Sequence, residues 1–172
     1  MRYACDDDAN IIDFFYAFLY EDNKAMIHLE TVTPENWRLG LRVREDQRRF
    51  VSDSAGILAR AFAYRNSRSR AFVIYNDDLP VGMAMYHDFD YEDEHAYDFS
   101  QFFIDQRYQG NGFGYEAAAL ILQMMKDDGK YDDVILCYVE GDIAARKLYE
   151  KLGFRHTGEA DGDEIVMKLS LR

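Results

Sequence analysis

A short glycine-rich segment has the residue types and spacing of an anion-binding loop. It follows an apolar run ending at Phe102-Phe103-Ile104 and reads Asp105-Gln106-Arg107-Tyr108-Gln109-Gly110-Asn111-Gly112-Phe113-Gly114. A helical pattern begins near Tyr115, so the predicted order is strand, turn and helix. Glycines at alternate positions let the backbone N–H groups of residues 110–114 converge on one anion, and the helix N-terminus adds partial positive charge there. The segment therefore predicts a phosphate-binding loop.

Two common phosphate-binding motifs do not match this loop. A Walker loop ends in Gly-Lys-Ser/Thr, but Gly112-Phe113-Gly114 offers neither the lysine nor the hydroxyl group. The dinucleotide fingerprint Gly-x-Gly-x-x-Gly requires a glycine at position 115, where the chain has Tyr115. The spacing that does fit is Gln/Arg-x-x-Gly-x-Gly/Ala, which is met by Gln109, Gly112 and Gly114.

That spacing resembles the pyrophosphate-binding motif of the GNAT superfamily of N-acetyltransferases. Further along the chain, Asp142 to Phe154 is similar to the family segment Asn-x-x-Ala-x-x-Leu-Tyr-x-Lys-x-Gly-Phe. Two motifs in this order make the resemblance specific, and it covers roughly residues 26–170. Within the superfamily, Tyr108-Gln109-Gly110 and an acidic hairpin are similar to the polyamine (spermine/spermidine) acetyltransferases.

The resemblance implies that acetyl-CoA is the co-substrate. In the family, a bulge in the strand before the loop makes the next strand diverge, so that pantetheine binds like an extra strand. Asp142 departs from the family's asparagine: it can cap a helix, but it lacks the amide N–H that would donate to pantetheine. The implied cofactor-binding residues are Phe102, Phe103, Ile104, Gln109, Gly110, Asn111, Gly112, Phe113, Gly114, Asp142 and Lys147.

The resemblance also implies a general acid. Tyr149 occupies the family's Leu-Tyr position, where the phenol protonates the departing sulfur, and its pKa lies above that of a thiol. The general base stays open, because Glu35, Glu94 and Asp98, as well as His87 and His95, are all candidates. The expected reaction is direct acetyl transfer to a primary amine of a small polycation such as spermidine or spermine.

Two alternatives remain at this point. In the first alternative, the acceptor is an aminoglycoside, a protein N-terminus or a lysine side chain. In the second, the chain is a non-catalytic CoA-binding regulatory module; Asp142 favours this reading, whereas Tyr149 opposes it.

The charge distribution favours a cationic acceptor. The net charge is −12, and nine acidic residues without any Lys or Arg lie between Asn76 and Asp105. Such a field attracts polyamines and repels nucleic acid, so we expect no nucleic-acid partner. The five arginines between Arg38 and Arg49 are interpreted as solvated faces and local ion pairs beside the substrate cleft.

Composition indicates a soluble cytoplasmic enzyme. No apolar run is long enough for a membrane helix, and the acidic start is unlike a secretory signal. Cys5 and Cys137 cannot form a disulfide framework, and Cys137 lies in an apolar run predicted to be a buried strand. The scattered histidines predict no metal site.

The periodicity predicts an α/β (α+β) fold, a mixed sheet with helices on both faces, and the family resemblance implies that this sheet has six or seven mostly antiparallel strands. Residues 26–172 form the acetyltransferase domain of this fold. Residues 1–25 are expected to form an N-terminal helical extension. This helix packs either on the core of its own chain or in the interface of a homodimer or higher homo-oligomer. Its apolar stripe is Ile11, Phe14, Phe15, Phe18 and Leu19. A further helix is predicted to begin at Thr33-Pro34-Glu35.

Overall fold

Seven strands form one mixed sheet in the computed structural model of the protein, which describes residues 26–172. The sheet order is β1-β2-β3-β4-β5-β7-β6, and only the β4–β5 pair is parallel. The predicted helical extension lies outside the described residues. The strands are β1 (Ile27–Thr31), β2 (Arg70–Asn76), β3 (Leu79–Tyr91), β4 (Glu94–Ile104), β5 (Asp133–Val139), β6 (Arg155–Asp161) and β7 (Glu164–Ser170).

In the part of the chain that the structure describes, three α-helices cover the two faces of this sheet. Two short 3-10 helices, Glu45–Gln47 and Arg65–Ser67, flank the first α-helix. The α-helices are α1 (Ser54–Ala63), α2 (Phe113–Asp128) and α3 (Ile143–Leu152). The predicted fold, a mixed sheet with helices on both faces, is confirmed.

Alternating residues of β3 divide the core into two clusters, as the side-chain alternation of a strand requires. Ala84 and Tyr86 belong to the cluster that packs under α2 and α3. Met83 and Met85 belong to the other cluster, which is covered by Ile57 of α1 and by residues 41–43. The two faces of the sheet therefore have separate hydrophobic cores.

The helix predicted from Thr33 is wrong. Residues 34–38 form only hydrogen-bonded turns, although the Thr33 hydroxyl accepts a bond from the Glu35 N–H as a capping residue would. Asn36 explains why this turn does not continue as a helix, because its buried side chain accepts a hydrogen bond from the Thr33 N–H and donates one to the Thr31 carbonyl. These bonds tie the turn back to the end of β1.

A bulge in β4 sets the geometry of the middle of the sheet. His87 pairs with Asp98 and Met85 pairs with Gln101, so one β3 residue faces two β4 residues, Phe99 and Ser100. The family resemblance predicted a bulge in this strand, and the register shows it.

Gly82 allows β3 to pack closely against the end of β4. A Cβ atom at this position would overlap the Phe103 carbonyl oxygen and lie 3.0 Å from Cδ1 of Ile104. Glycine is therefore required here by the close approach of two backbones.

Asp105 fastens the loop before α1 to the end of β4. Its buried carboxylate accepts bonds from the backbone N–H of Arg42 (2.7 Å) and from the Arg107 guanidinium (2.7 Å). Burial opposes ionisation, but these donors outweigh it and hold the pKa of Asp105 below its usual value.

We expect Asp105→Asn to lower the free energy of unfolding by about 1.5–3 kcal/mol, because charge-assisted bonds of a buried group are lost. Since the folded-state pKa is depressed, this stabilisation is present above about pH 4 and disappears as pH falls through the folded-state pKa. Urea denaturation at pH 7 and at pH 3 measures both effects.

The control is Asp132→Asn, whose carboxylate pairs with Arg172 at the surface and should barely change stability. Equal urea midpoints for the two variants at pH 7 would contradict the role of Asp105.

Candidate active site

A cavity of about 580 Å³ opens where β4 and β5 separate. The two strands pair only at Tyr97 with Val134 and at Asp98 with Ile135, although both continue beyond these pairs. The cavity is lined by residues 98–104 of β4, residues 137–139 of β5, the glycine loop and the first turns of α3. The second motif therefore faces the first across one opening.

The glycine loop is held in place by its own polar side chains. Gln109 donates to the Ile104 carbonyl (2.9 Å) and to Oε1 of Gln47 (2.7 Å), and Asn111 donates to the Tyr108 carbonyl (2.9 Å). Gly110 and Gly112 have φ angles of +83° and +86°.

A Cβ atom at Gly110 or Gly112 would meet no atom of the protein within 4 Å. These positions therefore favour glycine because of their positive φ angles and not because of steric crowding.

The N-terminus of α2 is open towards the cavity. Its N-cap, Gly112, provides no side-chain acceptor, whereas Asp53 and Asp142 cap α1 and α3 with carboxylates. Phe113 and Gly114 in the first turn line the cavity. The uncapped N–H groups and the helix dipole therefore make this the place in the cavity that is best suited to an anion.

Within residues 26–172, no strand pairs with β4 along the edge that faces the opening beyond Asp98. Phe102, Phe103 and Ile104 pair with β3 on their other side. The side chains of Phe103 and Ile104 are buried in the two cores, while Phe102 is half-buried. An extended ligand in the opening can therefore reach backbone groups of these residues.

Tyr149 lies in the wall of the cavity, on the α3 side. Its ring packs edge-on against Phe99 and Phe154, with centroid distances of 6.4 and 5.8 Å, and its side chain is buried. Burial, with a smaller contribution from the negative charge of Asp142, raises the pKa of Tyr149 well above its usual value. The phenol therefore keeps its proton at neutral pH and can act as a donor.

The other two predicted residues of the second motif are placed differently. Asp142 lines the cavity, but one of its carboxylate oxygens accepts the Ala145 N–H (3.0 Å) as the cap of α3. Lys147 is exposed and lies outside the residues that line the cavity.

Only one of the carboxylate candidates for the base lines the cavity. Glu35 lies in the turn after β1 and Glu94 lies at the β3–β4 turn beside Lys168 (3.7 Å), both outside the lining. His95 pairs with Asp90 on the same exposed hairpin (2.9 Å). Asp98 lines the cavity, and its Oδ2 atom is 3.3 Å from Nε2 of buried His87.

Several lining residues were missed by the sequence interpretation. Arg44, Gln47, Phe50 and Arg60 line the cavity from the segment that was expected only in general terms to flank the cleft. Their number and spacing match no motif, because they reach the cavity through the tertiary packing of α1. The local ion pairs expected of this segment are present, at Arg44–Asp46 and Arg48–Glu45.

The prediction that Cys137 is buried is wrong. It lies in β5 as expected, but it is exposed and lines the cavity. The reason is that Cys137 lies on the face opposite Leu136 and Tyr138, and the core cluster covered by α1 on that face includes no residue of β5.

Many acids of the β3–β4 region have basic partners. Asp88 pairs with Arg68 and Lys130, and Glu94 pairs with Lys168. The acidic hairpin is thus partly neutralised, and Asp98 is its member in the cavity wall.

A second cavity of about 650 Å³ lies between α1 and the loop before it, where Trp37, Arg38 and Arg42 are among the lining residues. It contains none of the residues predicted to bind cofactor or to act as acid or base. The opening between β4 and β5 is therefore the candidate active site.

Residues 35–154 of the chain match the acetyltransferase (GNAT) family. The chain belongs to the GNAT family of acetyltransferases. It is 31% identical over 150 residues to a spermine/spermidine N(1)-acetyltransferase of Bacillus subtilis, covering 83% of this chain and 97% of that protein.

Two solved structures have the same fold as this GNAT chain. Spermidine N-acetyltransferase from Vibrio cholerae, in complex with CoA and spermine, has a TM-score of 0.66 at 16% identity, covering 84% of this chain and 95% of that one. Ribosomal-protein-S5-alanine acetyltransferase from Vibrio fischeri has a TM-score of 0.66 at 15% identity, covering 84% and 92%. Because these enzymes are named for different acceptors, the fold alone does not select the acceptor.

Among residues 26–172, no helix is long and apolar enough to cross a membrane. Within the same range, no three His, Cys, Asp or Glu side chains form a metal-binding group. The cytoplasmic location and the homo-oligomeric state stay predictions.

Proposed function

We propose that this GNAT acetyltransferase transfers the acetyl group of acetyl-CoA directly to a primary amine of a small polycation such as spermidine or spermine. The observation that carries the proposal is the 31% identity to a spermine/spermidine acetyltransferase across nearly its whole length. The Vibrio cholerae enzyme with CoA and spermine bound has the same fold, so this fold can accommodate that substrate pair.

The cofactor is proposed to bind along the opening between β4 and β5. The uncapped start of α2 and the glycine loop receive the pyrophosphate, and the free edge at Phe102–Ile104 receives pantetheine. Asp142 contributes its cap to α3, and any contact it makes with pantetheine uses a carboxylate acceptor in place of an amide donor.

We expect Gly112→Ala to abolish most of the rise in melting temperature that acetyl-CoA gives to the wild type. A Cβ atom strains a residue at φ +86° and changes the start of α2, where the phosphates bind. Thermal denaturation with and without acetyl-CoA measures the effect.

Gly158→Ala is the matched control. Gly158 has φ +91° and likewise no atom within 4 Å of an added Cβ, but it lies in β6, away from the glycine loop and the start of α2. We expect it to carry the same strain and to keep the full acetyl-CoA response. Equal responses of the two variants would remove the loop from the cofactor site.

Tyr149 is proposed to protonate the thiolate of departing CoA. Its buried phenol holds a proton at neutral pH, and the raised pKa means that it must recover this proton quickly after each transfer. The packing against Phe99 and Phe154 keeps the ring in one orientation within the cavity wall.

Tyr149→Phe should lower kcat about tenfold or more with little change in KM for acetyl-CoA. The reason is that proton donation to sulfur matters mainly in the transition state, and tenfold corresponds to about 1.4 kcal/mol. Single-turnover kinetics give the rate of the chemical step itself. A wild-type rate in that experiment would leave Tyr149 with a packing role.

The acceptor is proposed to approach the acids of the cavity wall. Asp98, Asp142 and Glu164 line the cavity, with Arg44 and Arg60 at other positions of the lining. The net charge of −12 adds a long-range attraction for polycations.

A substrate panel tests the acceptor. We expect acetylated spermidine and spermine as products, with lower kcat/KM for butylamine, an aminoglycoside and peptides that carry an N-terminal alanine or a lysine. Because the attraction is screened over roughly 8 Å at physiological salt, kcat/KM for spermidine should fall as ionic strength rises. A preference for the aminoglycoside or a peptide would replace the polyamine proposal and leave the acetyltransferase assignment intact.

A further inference from the structure

Asp98 stands at the point where the sheet opens. The β4–β5 pairing ends at this residue, and the two bulge residues follow it. Asp98 is half-buried and lines the cavity. A carboxylate in this position lies where the two strands begin to diverge, at the closed end of the opening.

His87 stands behind Asp98, on the neighbouring strand. It is 2% exposed and stacks on Tyr64 with a centroid distance of 4.2 Å and an interplanar angle of 12°. Its Nδ1 atom is 2.8 Å from the Asp88 carbonyl oxygen. Since a carbonyl only accepts, Nδ1 must carry a hydrogen in this contact.

The other ring nitrogen of His87, Nε2, is available to bind and release a proton. Nε2 of His87 is buried and has no hydrogen bond of regular geometry, but it lies 3.3 Å from Oδ2 of Asp98. A neutral ring thus presents a lone pair towards a carboxylate, and one additional proton between the two atoms relieves that contact. The pair is therefore built to accept a proton.

The charged groups around the ring come from three elements. Asp98 faces it from β4, Arg60 faces it from α1, and Asp88 contributes its carbonyl from β3 while its carboxylate pairs with Arg68 and Lys130. Burial and Arg60 lower the pKa of His87, but Asp98 and the Asp88 carbonyl outweigh them, so that this pKa is raised above 6.5. The raised pKa means that His87 holds a proton more readily than a free imidazole does, which suits a group that receives one.

The pair also lies on the opposite face of the sheet from the proposed acid. Tyr149 packs with Phe99 in the core under α2 and α3. His87 packs on Tyr64, which caps the end of α1 on the other face. One opening thus has a proton donor on one face and a proton acceptor on the other.

We propose that Asp98 is the catalytic group that takes a proton from the ammonium of the acceptor and that His87 is the positioning residue that receives it at Nε2. This inference rests on the proposed function. The nitrogen lone pair freed in this way forms the C–N bond as the C–S bond breaks. The nitrogen loses a second proton as the amide forms, and this loss balances the proton that the thiolate gains through Tyr149.

Asp98→Asn tests the catalytic role. At pH 7, kcat/KM for spermidine should fall about 100-fold or more, while the acetyl-CoA response in melting temperature stays as in the wild type. Between pH 7 and 9 the variant should recover about tenfold per pH unit, because free amine replaces the missing base, whereas the wild type levels off above the pKa of His87.

Asp90→Asn and His95→Asn are the matched controls, since they alter a histidine–carboxylate pair on the exposed hairpin. Both should retain the wild-type pH profile. Wild-type kcat/KM in Asp98→Asn, or a profile parallel to the wild type, would overturn the proposal.

His87→Asn tests the positioning role, because asparagine preserves a donor near Nδ1 and removes Nε2. The acidic limb of the kcat/KM profile should shift or vanish, while KM for acetyl-CoA is unchanged. Side-chain NMR of the wild type provides a measurement that needs no variant to fold: the titration of His87 should coincide with the acidic limb. A separation of more than about one pH unit would overturn the role of His87.

The two levels of failure are distinguishable. A wild-type protein that acetylates no amine overturns the proposed function, and this inference with it. An active wild type with a fully active Asp98→Asn variant overturns the pair alone.

Discussion

The early end of the β4–β5 pairing is the constraint on which the site depends. Two strands that run parallel remain bonded only at Tyr97 and Asp98, and the bulge at Phe99 and Ser100 turns β4 away immediately afterwards. Full pairing would have filled the cavity with backbone hydrogen bonds. The sheet thus gives up ladder bonds in its centre and gains an edge that a ligand can use.

That opening also explains how the chemistry is distributed. Alternate side chains of one strand point to opposite faces, so neighbouring positions on β4 belong to different cores. Phe99 supports the phenol of Tyr149 on one side, while Asp98 meets His87 on the other. The strand that carries the opening therefore separates the two proton-transfer groups by its own periodicity.

Local sequence was sufficient for most of the fold and for half of the site. The strand, glycine loop and helix around Gly112 were predictable because turn residues and periodicity act over short distances, and Asp142 caps α3 as its residue type allows. The failures had nonlocal causes. Asn36 bonds back to β1, so residues 34–38 form a turn and not a helix, and Cys137 lies on a face of β5 that the core cluster under α1 does not reach.

The contact between His87 and Asp98 was predictable only in part. With Glu92 and Asp93 taken as a two-residue turn, counting back along the hairpin pairs these residues, as the structure does. Nothing in the sequence alone, however, marked which of the acidic residues would face a cavity. The sequence likewise gave no sign that Arg44 and Arg60 would line the cavity, since the packing of α1 and the segment before it places them there.

The close approach at Gly82 has a consequence for how this sequence can change over time. Any side chain there displaces the Phe103 carbonyl, and hence the strand edge that is proposed to hold the cofactor. Selection for a stable sheet and selection for turnover therefore both act on the position of the Phe103 carbonyl. A change at Gly82 that weakens one also weakens the other. Drift should leave glycine at this position even in descendants that exchange one acceptor for another.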